Sequence, residues 1–256
     1  MVDNYIQRID INTWILRIEG VTILLDPWIV GSASMLPVLK LVHVDGIPIK
    51  IDELPKIDII VITHKDVDHC HLPTLNLLDK SIRIICPEDV MKIVKKAGYI
   101  NTSVLNYWET IEIIHPHLTI TAVPAEHPKL VKQNAYVFNY NNKAIYFTGD
   151  TNYVKAFKDI GEKFNIEYAL IPIIGVKISM IGQIVMGPED AIKCLEYLKS
   201  KNIIPTSYGN VKLSGFLKPF MQTIGCADEF KSLLKEKLPN VKLLLPERLE
   251  KLILFE

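Results

Sequence analysis

A short run of histidines and aspartates is the part of the sequence best suited to chemistry. The segment 63–69 is Thr-His-Lys-Asp-Val-Asp-His, and it holds four potential metal ligands: His64, Asp66, Asp68 and His69. Imidazole nitrogens and carboxylate oxygens bind a divalent ion at about 2.0–2.2 Å, so a metal site needs several of them converging on one point. A polar turn at a helix start would explain one His and one Asp, but not this density. The spacing therefore predicts a metal site.

The element that must position this cluster is a buried strand. Ile59-Ile-Val-Ile62 is apolar, rich in β-branched residues and too short for a helix. The carboxyl end of a buried strand is where an α/β sheet passes into its functional loops. On a tight strand-to-helix turn, residues at positions i, i+2, i+4 and i+5 can point into one hollow, with His71 just beyond.

Two later strand ends present further ligands. The apolar run that reaches Val123 is followed by His127, and the run that ends at Phe147 is followed by Asp150, with Gly149 allowing a tight turn. Each is weak evidence alone, but together with the first cluster they predict a second and a third set of ligands. Cys70 lies inside the first cluster, where a bystander thiol is favoured over a metal ligand.

The order of predicted elements indicates an α/β protein with two similar halves. Strands at 5–26 precede a βαβα stretch that ends at Gly98, strands recur over 101–148, and strand–helix units follow. We find no linker, so one domain over 1–256 is expected. The apolar stretches 30–50 and 174–186 contain no clear period, and we expect loops there. These loops either pack on the core, which is favoured, line an apolar pocket or form a subunit contact, so a homo-oligomer is possible.

Composition favours an ordinary protein that acts on small molecules. Of the 256 residues 49% are hydrophobic, and 29 Lys+Arg balance 29 Asp+Glu. A net charge of zero counts against attraction to nucleic acid or an anionic membrane. The four cysteines are scattered and no signal peptide is evident, so a reducing cytoplasm is expected. No uncharged apolar run reaches the roughly 18 residues of a membrane span.

These motifs together resemble the metallo-β-lactamase superfamily. Its signature T-H-x-H-x-D-H follows a buried strand and is succeeded by a His, a bridging Asp and a last His, each at a strand end. Here the matching positions are 63–69, His127 and Asp150, and the resemblance runs from about residue 10 to 212. Asp26-Pro27 and the segment 186–191 resemble the branch of metal-dependent hydrolases related to ascorbate-6-phosphate lactonase and, more distantly, to N-acylphosphatidylethanolamine phospholipase D.

The resemblance implies an αββα four-layer sandwich with metal at one edge. The first ion would take His64, Asp66 and His127, the second would take Asp68 and His69, and Asp150 would bridge them. Two positions depart from the family pattern: Asp66 stands where a second His is usual, and Ser207 stands where the last His is expected. A His common in the branch near Gln183 is also absent. The second site therefore lacks a ligand unless His71, water or substrate replaces it.

The resemblance implies a metal-dependent hydrolase. A metal-activated water would attack an ester, lactone or phosphodiester bond of a small molecule, and Asp68 would orient or deprotonate that water. Zn²⁺ is the first choice for one or two ions, but three carboxylates against three imidazoles shift the preference towards Mn²⁺ or Fe²⁺. The alternative is a binding or regulatory protein that kept the fold and lost catalysis. A nuclease is disfavoured by the neutral charge.

Overall fold

The structure is a computed structural model that describes residues 4–35, 37–127, 133–209 and 211–255. The strands of these residues, in chain order, are β1 (Tyr5–Asp10), β2 (Thr13–Ile18), β3 (Val21–Leu25), β4 (Ala33–Met35), β5 (Leu39–His43), β6 (Ile59–Val61), β7 (Arg83–Cys86), β8 (Thr102–Val104), β9 (Thr110–Ile114), β10 (Leu118–Pro124), β11 (Asn134–Tyr140), β12 (Lys143–Phe147), β13 (Ile166–Pro172), β14 (Gly175–Ile178), β15 (Gly182–Val185), β16 (Asn202–Thr206), β17 (Val211–Ser214), β18 (Met221–Ile224), β19 (Lys242–Leu243) and β20 (Lys251–Ile253). The α-helices are α1 (Leu72–Leu77), α2 (Glu88–Lys96), α3 (Phe157–Lys163), α4 (Pro188–Leu198) and α5 (Ala227–Lys237). Over the same residues, every helix is too short or too polar to cross a membrane.

The chain forms two compact units. Unit 1 consists of Met1–Leu105, Gly209–Pro219 and Pro246–Glu256, and unit 2 consists of Asn106–Tyr208 and Phe220–Leu245. Each unit is assembled from segments that alternate along the chain, so no single linker separates them. The single domain over 1–256 stays a prediction.

Unit 1 contains a seven-stranded mixed sheet in the order β20-β1-β2-β3-β6-β7-β8. Strands β1, β2 and β3 form an antiparallel meander, and β3, β6, β7 and β8 run parallel. Glu19 and Gly20 both have positive φ, which suits the tight turn between β2 and β3. Apolar residues of β3, β6 and β7 pack with α1 and α2 into one core cluster. This parallel half of the sheet directs the end of β6 into the ligand-rich segment.

Unit 2 contains a second seven-stranded sheet, in the order β19-β16-β13-β12-β11-β10-β9. Strands β9 to β12 are antiparallel, whereas β12, β13, β16 and β19 run parallel. Asn141 and Asn142 have positive φ and form the hairpin turn between β11 and β12. In α3, a Cβ on Gly161 would stand 2.0 Å from the Tyr197 carbonyl oxygen of α4, so only glycine allows this close helix packing.

Both stretches predicted as loops contain strands. Within 30–50, β4 pairs with β5, and β5 pairs with β17 from far along the chain. Within 174–186, β14 pairs with β15 and β18. The prolines Pro37 and Pro48 lie outside these strands, where they remove no ladder hydrogen bond. Helix α3 begins only at Phe157, after a turn at 155–156.

Candidate metal centre

The ligand-rich segment connects β6 to α1 through a tight turn. The backbone nitrogens of His69 and Cys70 donate to the carbonyl oxygen of Asp66 at 3.0 and 2.8 Å. His64 and His69 are fully buried, and their ring centroids lie 4.0 Å apart. Asp66 and Asp68 are half-buried. The turn thus holds two imidazoles inside the protein and two carboxylates at its edge.

A buried carboxylate, Asp26, anchors this segment. It lies directly after β3, and its oxygens accept hydrogen bonds from Thr63 N at 2.8 Å, Thr63 Oγ1 at 2.7 Å and His69 Nδ1 at 2.7 Å. Asp26 is fully buried and its own backbone nitrogen donates to Val61 at 3.0 Å. One side chain therefore fixes both the start of the loop and the orientation of the His69 ring.

The hydrogen-bond pattern also fixes the tautomers of the two imidazoles. A carboxylate only accepts, so His69 Nδ1 carries a hydrogen and Nε2 keeps its lone pair. The Thr63 hydroxyl gives its hydrogen to Asp26 and lies 2.9 Å from His64 Nδ1, so it accepts from that nitrogen. Metal-binding histidines use this arrangement, in which one ring nitrogen donates to the protein and the other binds the ion.

Each of these imidazoles faces a carboxylate across a gap that suits a shared ion. His64 Nε2 lies 3.5 Å from Asp66 Oδ2, and His69 Nε2 lies 3.7 Å from Asp68 Oδ2. Two ligands held tetrahedrally at about 2.1 Å from one ion are themselves about 3.4 Å apart. Asn12 Nδ2 also approaches His69 Nε2, at 3.3 Å. Asn12 is thus a neighbour of the ligands that sequence reasoning missed.

His127 follows β10 in unit 2 and is anchored in the same manner. Its Nδ1 lies 3.2 Å from the carbonyl oxygen of Ile184 in β15, and the side chain is buried. A carbonyl oxygen only accepts, so Nδ1 is the donor and Nε2 keeps its lone pair. Strand β15, which was predicted as a loop, therefore orients a predicted ligand.

Asp150 follows β12 and is contacted by a serine hydroxyl. Gly149 has a φ of +59°, which allows the chain to turn sharply before Asp150. Asp150 is half-buried, and its Oδ1 accepts a hydrogen bond of 2.5 Å from Ser207 Oγ. The residue that stands in place of the last family His is thus a donor to a proposed ligand.

Two groups of side chains have the composition of metal sites. They are the two sets that the resemblance implies, His64, Asp66 and His127, and Asp68, His69 and Asp150, and each residue offers one ligand atom. Three imidazole nitrogens and three carboxylates form a donor set that fits Zn²⁺, Mn²⁺ or Fe²⁺. The groups contain the six predicted ligands, whose role in binding stays a prediction.

Two other candidates have different roles. His71 caps α1, because its Nδ1 accepts a hydrogen bond from Thr74 N at 3.3 Å, and its Nε2 lies 3.3 Å from the Ser32 carbonyl oxygen. Both of its ring nitrogens are therefore engaged, and His71 does not replace the missing ligand. Cys70 packs in the unit 1 core, where burial raises the pKa of its thiol to about 12. A thiol with this pKa is protonated at neutral pH, and the bystander role of Cys70 stays a prediction.

The comparison with known families agrees with this geometry. A family model described as a beta-lactamase superfamily domain matches residues 22–208. The chain belongs to this superfamily. The predicted metallo-β-lactamase resemblance is confirmed at that level, whereas the relationship to ascorbate-6-phosphate lactonase stays a prediction.

Three similar proteins illustrate the range of the superfamily. A UPF0173 metal-dependent hydrolase of Nanoarchaeum equitans is 30% identical over 62% of this chain and 73% of its own length. The mitochondrial N-acyl-phosphatidylethanolamine-hydrolyzing phospholipase D of Saccharomyces cerevisiae is 28% identical over 81% of this chain, which spans half the length of that relative. The solved isothiocyanate hydrolase from Delia radicum gut bacteria has a TM-score of 0.78 and 19% identity, covering 97% of this chain and 98% of its own.

These comparisons bear on fold and class. The predicted α/β class is confirmed by the mixed sheets, and the metallo-β-lactamase fold is confirmed by the solved neighbours. Several relatives are named metal-dependent hydrolases, so the prediction of an enzyme of this kind is confirmed at that level.

Proposed function

We propose that this chain hydrolyses an ester, lactone or phosphodiester bond of a small molecule at a metal centre formed by the two groups. The observation that carries the proposal is the common anchoring of three imidazoles. His64, His69 and His127 each direct Nδ1 to an acceptor of the protein. In this orientation a metal-binding histidine donates its Nδ1 hydrogen to the protein and presents Nε2 to the ion.

The donor set guides the choice of metal. His64, Asp66 and His127 would hold the first ion, and Asp68, His69 and Asp150 would hold the second. We propose Zn²⁺ as the first choice and Mn²⁺ or Fe²⁺ as alternatives, because half of the six donors are carboxylates. A bound ion would supply a water that ionises near neutral pH and would polarise the oxygen of the scissile group.

The protein side chains would position and activate the reactants. Asp68 is half-buried beside His69 Nε2, where its carboxylate can orient the attacking water and take its proton. Asp26 and Thr63 would keep the imidazoles in the tautomer that binds metal. Ser207 would hold one oxygen of Asp150, which weakens Asp150 as a bridge between two ions.

The proposed bond types follow from the chemistry of a metal-activated water, and one relative favours one of them. The yeast relative is named a phospholipase D, which favours a phosphodiester among the three bonds. A small-molecule substrate and no nucleic acid are consistent with a net charge of zero. All four cysteines are free thiols, which supports a reducing compartment such as the cytoplasm.

The direct test is metal-dependent turnover on simple substrates. We would purify the protein without chelator, measure Zn, Mn and Fe, and assay p-nitrophenyl acetate, a γ-lactone and bis(p-nitrophenyl) phosphate with added Zn²⁺ or Mn²⁺. We expect turnover that a chelator removes and that Asp150→Ala abolishes. Asp159→Ala is the matched control, because Asp159 is an exposed aspartate in the first turn of α3.

The rival function is a binding or regulatory protein that has lost a catalytic ion. Ser207 supports this alternative, because a serine hydroxyl is a poor ligand for a divalent ion. Here the hydroxyl donates a hydrogen bond to Asp150 instead. Absence of tightly held metal would favour the rival. A folded Asp150→Ala protein with an unchanged rate would contradict the hydrolase directly.

A further inference from the structure

Unit 1 contains a second buried histidine–aspartate pair that belongs to neither metal group. His43 Nδ1 lies 2.9 Å from Asp10 Oδ2, and the two side chains are only 3% and 5% exposed. Arg8 and Arg248 also approach Asp10, at 3.8 and 3.4 Å. Burial acts to raise the pKa of Asp10, but the His43 hydrogen bond and the Arg248 charge hold it below its usual value. Asp10 therefore stays ionised and fixes the His43 ring.

The other nitrogen of this ring, His43 Nε2, is buried and has no hydrogen-bond partner among the residues that the structure describes. Trp28 packs against the ring with centroids 3.9 Å apart, so the ring has little freedom to turn. The Trp28 indole nitrogen is buried and equally unpartnered within the described chain. Buried polar atoms nearly always have a partner, so two orphans side by side suggest a ligand.

A cavity of about 530 Å³ has His43 in its wall. This volume is within the usual range of small-molecule sites, about 300–1,000 Å³. Six aliphatic side chains form most of the wall: Ile29, Val30, Val42, Ile47, Ile49 and Ile51. Gly31 and Gly46 complete it, and a Cβ on either would meet nothing within 4 Å. Lys50 and His43 are the polar residues of this lining.

We propose that this cavity binds a neutral aliphatic molecule that carries a hydroxyl group. The chain of the ligand would lie against the isoleucines and valines, and its hydroxyl would donate to His43 Nε2. Because His43 Nδ1 is engaged with the Asp10 carboxylate, Nε2 is the ring nitrogen that the ligand would meet. A hydroxyl can donate to that nitrogen, whereas a carboxylate has no hydrogen to give. The inference does not depend on hydrolysis.

The test is a titration of the full-length, metal-loaded protein with 1-butanol, 1-hexanol and 1-octanol by calorimetry. We expect saturable binding at one site, with affinity rising about fourfold per methylene, the equivalent of ~0.8 kcal/mol for each buried CH₂. Ile49→Trp should fill the cavity and weaken 1-octanol binding at least tenfold. Lack of saturable 1-octanol binding to the wild-type protein would overturn the proposal.

Two further variants distinguish binding in this cavity from non-specific binding of alcohols to apolar surface. Ile181→Trp makes the same replacement at an isoleucine that is 59% exposed and does not line the cavity, so binding should not change. An equal loss in both tryptophan variants would overturn the proposal. His43→Phe should weaken 1-octanol binding about fivefold, the size of one hydrogen bond, and keep the dependence on chain length. If His43→Phe fails to fold, the comparison of Ile49→Trp with Ile181→Trp still decides.

Discussion

The proposed ligands of unit 1 and those of unit 2 are held by different means. In the segment 63–69, the buried carboxylate of Asp26 accepts three hydrogen bonds that fix both Thr63 and His69. In unit 2, His127 is oriented by one backbone carbonyl and Asp150 by one serine hydroxyl. Unit 1 thus anchors its ligands with a buried carboxylate, whereas unit 2 uses a backbone carbonyl and a serine hydroxyl.

This difference predicts unequal metal sites. The group of His64, Asp66 and His127 contains two buried, anchored imidazoles, whereas the group of Asp68, His69 and Asp150 contains one imidazole and two half-buried carboxylates. An imidazole locked by a neighbour loses little entropy when it binds, but a half-exposed carboxylate must first be ordered. We therefore expect one tightly held ion and one weak ion.

The largest effect should come from removing the anchor of unit 1. Asp26→Ala leaves Thr63 and His69 without their buried acceptor, so the free energy of unfolding should fall by about 3–5 kcal/mol. Urea denaturation monitored by circular dichroism measures this loss. Asp58→Ala is the matched control, because half-buried Asp58 accepts one backbone hydrogen bond, from Thr22 N at 2.9 Å. That control should cost about 1 kcal/mol, and equal losses would contradict the special role of Asp26.

A smaller effect is expected from the Thr63 hydroxyl, which links Asp26 to His64. Thr63→Val keeps the shape of the side chain and removes the acceptor of His64 Nδ1. The affinity of the first ion should fall by about 10–100-fold, as for other partners of metal-binding histidines. Competition with a chromogenic zinc chelator measures the change. Thr63→Ser keeps the hydroxyl, so its loss of metal affinity should be far smaller. If the Ser and Val variants lose the same affinity, the hydroxyl does not orient His64.

Adding a ligand in unit 2 should reduce the difference in metal affinity between the two sites. Ser207→His places an imidazole where the family has its last ligand, and His tolerates the positive φ of 51° better than most residues. We expect about tenfold tighter binding of the second ion and more metal per chain after dialysis, measured by plasma mass spectrometry. Ser207→Ala removes the hydrogen bond to Asp150 without adding a ligand. Equal metal content in the His and Ala variants would show that the second group does not bind metal here.

The strands with clear apolar patterns could be predicted from sequence, and the remaining strands could not. The β6 run Ile59–Val61 is buried and β-branched, so its type and its end were evident. Strands β5 and β17 pair over a distance of more than 160 positions in sequence, and β17 is only half-buried at best. Such pairing depends on tertiary contacts that leave no local period, and Pro37 nearby obscured the pattern further.

The candidate ligands could likewise be chosen from sequence, but the groups that hold them could not. Histidines and aspartates at strand ends are visible as residue types, as at His127 and Asp150. The acceptor for His127 is the backbone carbonyl of Ile184, which any residue type would provide. Asp26 was visible as an aspartate after a strand, but its three hydrogen bonds depend on the parallel pairing of β3 with β6. The hydrogen bonds that orient the ligands depend on the fold and cannot be read from residue types.

The smallest effect should arise where unit 2 positions the acceptor of His127. Asn152 Nδ2 donates to the carbonyl oxygen of Gln183 at 3.0 Å, one residue before Ile184. Asn152→Ala removes this bond but keeps the backbone bond from Asn152 N to Glu126 at 2.7 Å, so β15 should shift only slightly. We expect a loss of about 1 kcal/mol in stability and a two- to threefold loss in affinity for the first ion. Asn165→Ala breaks a comparable amide-to-carbonyl bond at an exposed hairpin, of 3.1 Å to Asn142. Asn165→Ala should lower the stability no more than Asn152→Ala does and should leave the metal affinity unchanged. If both variants lose metal affinity to the same extent, β15 does not transmit the change to His127.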